Sequence, residues 1–532
     1  MAKPYLINHL LEEAAAADPR KDAVVDLIGS RRSFDFQSFS MLAQAFASAL
    51  QERGLFRGDR VAIYLPKSAE EAAGIFAASM AGGVFVSINS LLLDHQAAHI
   101  LGNCGAAYLI TSKRDWARIR EEAKKISSLR CLLLIDDRTN DDTDEVDGIP
   151  ASYAVIKSTS QVVRETNTIG EDLAALLYTS GSTGKPRGVM LSHRNLLAGS
   201  RIVSSYLGIG PSERILSILP FSFDYGLNQL FTSVANQATI LLFQYKLPSE
   251  LVRTIASESI TGLAGLPLVW AGLTQHSSGL SETQLSALRY ITNSGGSVPT
   301  ATVKALRRML PGTKIFLMYG LTEAFRATYL PPEEVDKRPT SIGKAIPETE
   351  ILVIGADGRL CKTGEPGILV QRGPTVSLGY WDNPDKTREV LRPHPLVPPE
   401  RGGDIVCYSG DLVKTDEEGF IYFVARADGQ IKSQGYRISP TEVEEVLMQN
   451  GDLAEVAVIG IPAQDAGEHV HAVVVPASAS SFDASAALRQ CAQRLPTYMA
   501  PKSLDVVASL PRTPNGKIDY QLLRAQKLED RL

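Results

Sequence analysis

Short apolar runs alternate with helical stretches along most of the chain, and this alternation constrains the fold more than any other feature. Residues 23–27, 60–65, 84–88 and 132–135 read as strands, and residues 39–53, 72–81 and 116–126 as helices. Strands and helices in alternation require a mostly parallel sheet with helices on its faces. The 532 residues exceed what one hydrophobic core organises, so two or more domains are expected. Residues 72–93 carry no charge and would be long enough to cross a bilayer. Gly82-Gly83 divides them, however, and an Ala-rich helix, a glycine turn and a β-branched strand are the expected reading, with no membrane span.

The alternation resumes over residues 172–330 and then changes character. Residues 350–354, 367–370 and 420–424 are short β-like runs separated by Gly, Pro and Asp, which predicts a smaller, mostly β unit. A compact last segment follows residue 428. Residues 136–147 are polar and acidic and read as an exposed loop, and residues 1–18 as an amphipathic helix unlike a signal peptide. The net charge of −5 shows no basic excess of the kind that nucleic acid or an anionic membrane selects, so any phosphate binding must be local. The five cysteines, Cys104, Cys131, Cys361, Cys407 and Cys491, form no CxxC pair and are odd in number, which fits a reducing cytoplasm.

One local signal stands out. Tyr178-Thr179-Ser180-Gly181-Ser182-Thr183-Gly184-Lys185-Pro186-Arg187-Gly188 follows an apolar strand at 173–177 and precedes another apolar stretch at 189–191. Gly, Ser and Thr allow a concave nest of backbone N–H groups, and hydroxyls and a lysine add donors, a set suited to polyphosphate. It is not a Walker-type loop, because Thr179 stands at the first glycine position and Pro186 follows Lys185.

This loop resembles the signature of the adenylate-forming superfamily of acyl-CoA synthetases, peptide-synthetase adenylation domains and firefly-type luciferases. Further motifs fall in the family's order: Asn293-Ser294-Gly295-Gly296, Tyr319-Gly320-Leu321-Thr322-Glu323, Tyr408-Ser409-Gly410-Asp411, Arg426-Ala427-Asp428, Gly435-Tyr436-Arg437-Ile438 and Pro514-Asn515-Gly516-Lys517. The resemblance covers nearly the whole chain. It implies an α/β fold with a large N-terminal domain over residues 1–427. That domain would hold two α/β subdomains with mainly parallel sheets and a small β-barrel-like subdomain. A small mobile α+β C-terminal domain over 428–532 would turn about a hinge at Asp428.

The implied chemistry has two steps. A carboxylate attacks the α-phosphate of ATP, giving an acyl-adenylate and pyrophosphate, and a thiol then displaces AMP. Two anions meet in the first step, so placed cations matter; a unit charge pair at about 4 Å is worth around 4 kcal/mol at an effective dielectric near 20. By resemblance Lys517 is that cation, and Asn515-Gly516 predicts a tight turn beside it. Thr322 and Glu323 would meet the α-phosphate and Mg²⁺, Tyr319 would stack on adenine beside Gly295 and Gly296, and Asp411 with Arg426 would hold the ribose region. Gly435 would let a pantetheine arm pass. Ser439-Pro440-Thr441-Glu442 is a capping box that starts a helix just after that loop. His193, just past the loop strand, is a minor candidate for the site.

Phe223, Asp224, Gly320 and Arg326 are expected to line the acid site. Peptide-synthetase adenylation domains carry a Phe-Asp whose carboxylate pairs with the substrate ammonium, and burying an unpaired carboxylate is costly. An amino acid is therefore the first expectation, with Asp224 pairing inside the protein as the other reading. Arg326 has three open fates: pairing Asp224, binding a second substrate carboxylate, or pointing away. Residues 221–229 and 324–328 look closest to stand-alone amino-acid adenylation enzymes and to exosortase-associated AMP-forming acyl-CoA ligase-like proteins. No carrier domain follows Lys517, so the thiol is expected in trans, as the phosphopantetheine of a separate acyl or peptidyl carrier protein or as free CoA. The alternatives are an acyl-CoA synthetase for an amine-free acid and, more remotely, a nucleotide-binding sensor.

Overall fold

The computed structural model describes residues 3–92, 94–136, 144–153, 163–179, 186–275, 285–401, 403–426, 431–433, 436–438, 440–449, 451–463, 467–477, 482–495, 497 and 499–529. The expected alternation resolves into two large sheets. In the first, Leu173–Thr179, Val84–Ser87, Arg60–Tyr64, Tyr108–Thr111, Cys131–Leu134 and Ile149–Tyr153 run parallel in that order. Every residue of Val84–Ser87, Tyr108–Thr111 and Cys131–Leu134 is buried, because helices cover both faces; this is why the runs read as continuously apolar. Residues 69–87 form the helix Ala69–Met80, a left-handed Gly82 (φ 83°) and the strand Val84–Ser87, the sequence of elements expected of the uncharged stretch. No helix among the described residues is long and apolar enough to cross a membrane.

The second sheet has a parallel centre of Asp22–Asp26, Thr239–Leu242, Arg214–Ser217, Gly262–Gly265, Tyr290–Asn293 and Lys314–Tyr319. Thr328–Leu330 and Ser341–Ala345 continue it antiparallel into Ile421–Arg426, Ile405–Thr415, Gly367–Arg372 and Glu350–Ile354. The β-rich region after residue 350 is thus an extension of the second sheet. Two local expectations need correction. The strand at 22–26 does not share a sheet with 60–64; it pairs with Thr239–Leu242, far along the chain. Residues 145–147 belong to a hairpin, Glu145–Val146 with Ile149–Tyr153, and not to an open loop; 137–143 lie outside the described residues.

The sheets are joined through helices. Edge-to-face contacts connect Phe39, Phe76, Phe85 and Phe231, which come from helices and a strand of both layers. The partly buried Lys67 Nζ donates to Ser217 Oγ at 2.7 Å and to the Leu219 carbonyl, and lies 4.4 Å from the Phe221 ring centroid. It thereby ties the end of a first-sheet strand to the end of a second-sheet strand. Burial pulls its pKa down and pushes that of the nearby Glu71 up, while each partner's charge opposes the shift of the other. After residue 431 a third sheet forms, built on the hairpin Leu453–Ala463 with Gly467–Pro476. The helix Pro440–Met448, which begins where the sequence placed a helix start, packs on it; Ser439, the expected cap, lies outside the described residues.

Candidate active site

Thr179, Gly295, Gly296, Tyr319, Thr322 and Glu323 stand at or just beyond the carboxyl ends of parallel strands, where open α/β sheets bind ligands. Thr179 ends one first-sheet strand and lies opposite Arg187 in the antiparallel return. Ser180, Gly181, Ser182, Thr183, Gly184 and Lys185 lie outside the described residues, as do Asp428 and Gly435. Gly295 and Gly296 follow the strand Tyr290–Asn293. Gly295 is left-handed (φ 82°), a conformation that strains other residues, and a Cβ there would crowd Leu266 Cδ2 at 3.0 Å and touch Lys517 Cε at 3.5 Å. Asn293 fixes this loop: its Nδ2 donates to the Gly296 carbonyl at 2.8 Å, and its Oδ1 accepts from Trp270 Nε1 at 3.0 Å.

Tyr319 ends the strand Lys314–Tyr319, and its hydroxyl donates to Asp411 Oδ2 at 2.5 Å. Asp411 is buried, donates its backbone N–H to Ser409 Oγ at 3.0 Å, and stands opposite Arg426 in the register of the two strands. Thr322 and Glu323 occupy the turn beyond Tyr319. Glu323 accepts a hydrogen bond from the Tyr380 hydroxyl, and its carbonyl accepts from Ser377 N at 2.8 Å. Burial and the adjoining carboxylate push the Tyr380 hydroxyl up, which keeps it a donor. Tyr380 lies on the two-residue strand Gly379–Tyr380, which pairs with Arg187–Ser192, the strand leaving the glycine-rich loop.

Asp224 opens the helix Asp224–Ala235 and is buried. Of the three fates open to Arg326, the structure has the first: Nη1 reaches Asp224 Oδ2 at 3.2 Å, with Arg326 2% exposed. The guanidinium also lies 4.7 Å from the Tyr225 ring centroid. Burial pushes the Asp224 carboxyl up, while Arg326 and then Lys517 pull it down. The turn that aims Arg326 is tight. Arg326 N donates to the Ala324 carbonyl at 2.6 Å around a left-handed Phe325 (φ 56°), an unfavourable conformation for a bulky side chain. Gly199 makes room for that ring, since a Cβ there would lie 2.4 Å from Phe325 Cδ1. Gly320 does the same for Arg326, whose Cα would lie 3.2 Å from a Cβ.

Lys517 enters from the third-sheet region. A turn closed by Gly516 N to the Thr513 carbonyl at 2.9 Å, with Gly516 at φ 78°, sets its position. Asn89 Nδ2 holds the Pro514 carbonyl at 3.4 Å, and Lys517 Nζ lies 5.9 Å from the Phe223 ring centroid. The lysine thus stands beside both the Gly295 loop and the acid-site residues. His193 stands apart from the site: it is buried, and its Nδ1 accepts from Ile7 N at 3.3 Å, anchoring the first helix. Burial drops its pKa to about 4, so it remains a neutral acceptor. Sequence reading missed Tyr380, whose place follows from the carboxylate it faces; residue type alone carries no such signal.

Known proteins resemble this chain along most of its length. The model of the AMP-binding enzyme family matches residues 11–381, and that of the AMP-binding enzyme C-terminal domain matches residues 442–517. The long-chain-fatty-acid–CoA ligase of Bacillus subtilis (strain 168) is 30% identical over 98% of this chain and 94% of its own. Tyrocidine synthase 3 of Brevibacillus parabrevis is 30% identical over 97% of this chain and 8% of its own. The crystal structure of the anthranilate CoA ligase AuaEII with anthranoyl-AMP superposes at a TM-score of 0.88, with 24% identity over 100% of this chain and 99% of that one.

Proposed function

The chain belongs to the AMP-binding enzyme family, and from that premise we propose that it joins an amine-free carboxylic acid to a thiol through an acyl-adenylate. ATP-dependent, AMP-forming activation of an acid comes with family membership. The finer reading is carried by one observation, the buried Arg326–Asp224 pair. An amino acid was expected because Asp224 needed a cation. Arg326 supplies it from within, so an incoming ammonium would have to displace a guanidinium already desolvated beside its partner. The thiol is CoA or the phosphopantetheine of a carrier protein.

The residues present fit a magnesium nucleotide. Gly295, left-handed and without a side chain, leaves backbone to approach a ligand, Asp411 offers a buried carboxylate for hydroxyl groups, and Glu323 offers one suited to Mg²⁺, which needs few protein carboxylates. When bound, the ion would neutralise phosphate charge. In this reading Thr179 and its loop hold phosphates, Thr322 meets the α-phosphate, and Lys517 stabilises charge spread in the first step. The moving unit is residues 428–532, turning at Asp428 for thiol transfer.

An ATP–pyrophosphate exchange screen over amino acids, fatty acids and aryl acids tests the substrate reading. Exchange is expected with amine-free acids; exchange confined to α- or β-amino acids would overturn it. Tyr380→Phe tests the Glu323 assignment. Losing the hydroxyl that orients this carboxylate should raise the Mg²⁺ concentration for half-maximal exchange about 10-fold or more. An unchanged Mg²⁺ titration would remove Glu323 from the metal site.

A further inference from the structure

The cleft beside Asp224 is lined by apolar groups such as Val203, Leu207 and Met318, and by Tyr225, Asn228 and Arg326. Its polar members are unusual. Asn228 is 2% exposed, and neither its Oδ1 nor its Nδ2 has a hydrogen-bond partner among the described residues. The same holds for Arg326 Nε and for Oε1 of the buried Gln229, the residue after Asn228. A buried amide left unpaired bears its full desolvation cost, and native structures keep few such groups. Here donors and acceptors stand together in one cleft next to the acid-site residues.

We propose that the acid carries, at the end away from its reacting carboxylate, a neutral group that both donates and accepts hydrogen bonds, a hydroxyl or a primary carboxamide, held by Asn228, Arg326 and Gln229. This rests on the reading of the chain as a ligase for an amine-free acid. Charge selects the class. Arg326 and Asp224 cancel one another, so the cleft asks for no net charge. A second carboxylate would meet Asp224 and an ammonium would meet Arg326. An alkyl terminus would leave the amide of Asn228 and Nε of Arg326 without partners in the complex as well. Asn228 offers a donor and an acceptor on one planar group, and Arg326 Nε adds a donor, which matches a hydroxyl or a carboxamide and not a methyl. A site built to bond a substrate hydroxyl rejects the analogue lacking it far more strongly than an apolar pocket rejects an extra methylene.

The test uses the full chain and matched acids of equal length, aliphatic and aryl, ending in hydroxyl, carboxamide, methyl, ammonium or carboxylate. Pyrophosphate-exchange kcat/KM should favour a hydroxyl or carboxamide acid over its methyl counterpart by roughly 100-fold or more. In Asn228→Leu that preference should collapse, with exchange on the methyl acid kept or raised. Methyl acids exchanging as well as hydroxyl acids in the wild type, or the preference surviving in Asn228→Leu, would overturn the proposal while leaving the amine-free reading intact. Exchange confined to ammonium acids would instead defeat that reading. The wild-type ranking needs no variant, so a poorly folding Asn228→Leu does not remove the test.

Discussion

Lys517→Ala should lower ATP–pyrophosphate exchange roughly 100- to 1,000-fold, the usual cost of removing one charge-stabilising donor, while thioester formation from preformed adenylate stays near the wild-type rate. The asymmetry is the informative part. Lys517 reaches the Gly295 loop and the Phe223 ring from a turn whose tip is held by Asn89. In our reading its ammonium meets charge that develops when carboxylate and phosphate approach. The second step forms no new anion pair at that point, and in our reading it takes place after residues 428–532 have turned away. Two assays on one variant, exchange and single-turnover thiolysis of synthetic acyl-adenylate, separate the steps. Full exchange in Lys517→Ala would sink the assignment, and equal losses in both assays would show a structural role only.

The second large effect concerns stability. Arg326→Met should destabilise the chain by about 3 kcal/mol or more, because it strands a buried carboxylate, whereas Arg326→Met with Asp224→Leu should recover most of that loss. Breaking one side of a buried ion pair is costly, and replacing both sides by apolar groups is often nearly neutral. Burial already pushes Asp224 up, and Arg326 is the larger of the two cations that pull it down. Without Arg326 the carboxyl shifts further towards its protonated form, so part of the penalty is relieved as pH falls and the deficit of the single variant should shrink in acid. Denaturant midpoints of the single and double variants at two pH values would check this. A double variant no more stable than the single one would mean that the pair contributes packing and not charge compensation.

Much of the architecture is readable from pattern. Runs such as 84–87 and 131–134 are apolar throughout because both faces of their sheet are covered, and Gly82-Gly83 marks a real turn. Pattern reports burial, however, and not partnership. Nothing local says that 22–26 joins Thr239–Leu242, and Arg32–Asp35, with two charged residues in four, has no strand periodicity at all. The site divides in the same way. Resemblance led to Tyr319, Glu323, Asp411 and Lys517, which the fold brings to one edge. The partner of Asp224 lies 102 residues away and that of Glu323 lies 57 away, separations at which sequence carries no pairing signal. Asn228 was invisible for a further reason: an asparagine on a helix is ordinary until its surroundings leave it without a partner.

The two-residue strand Gly379–Tyr380 has a thermodynamic consequence. One side of it is hydrogen-bonded to the strand that leaves the glycine-rich loop, and its tyrosine grips Glu323. A carboxylate held through that hydroxyl cannot shift independently of the loop's exit strand. In the function proposed above, phosphates on the loop and a cation on Glu323 then draw on a shared coupling free energy. Linkage makes the traffic symmetrical: whatever factor the nucleotide applies to cation affinity, the cation returns to nucleotide affinity.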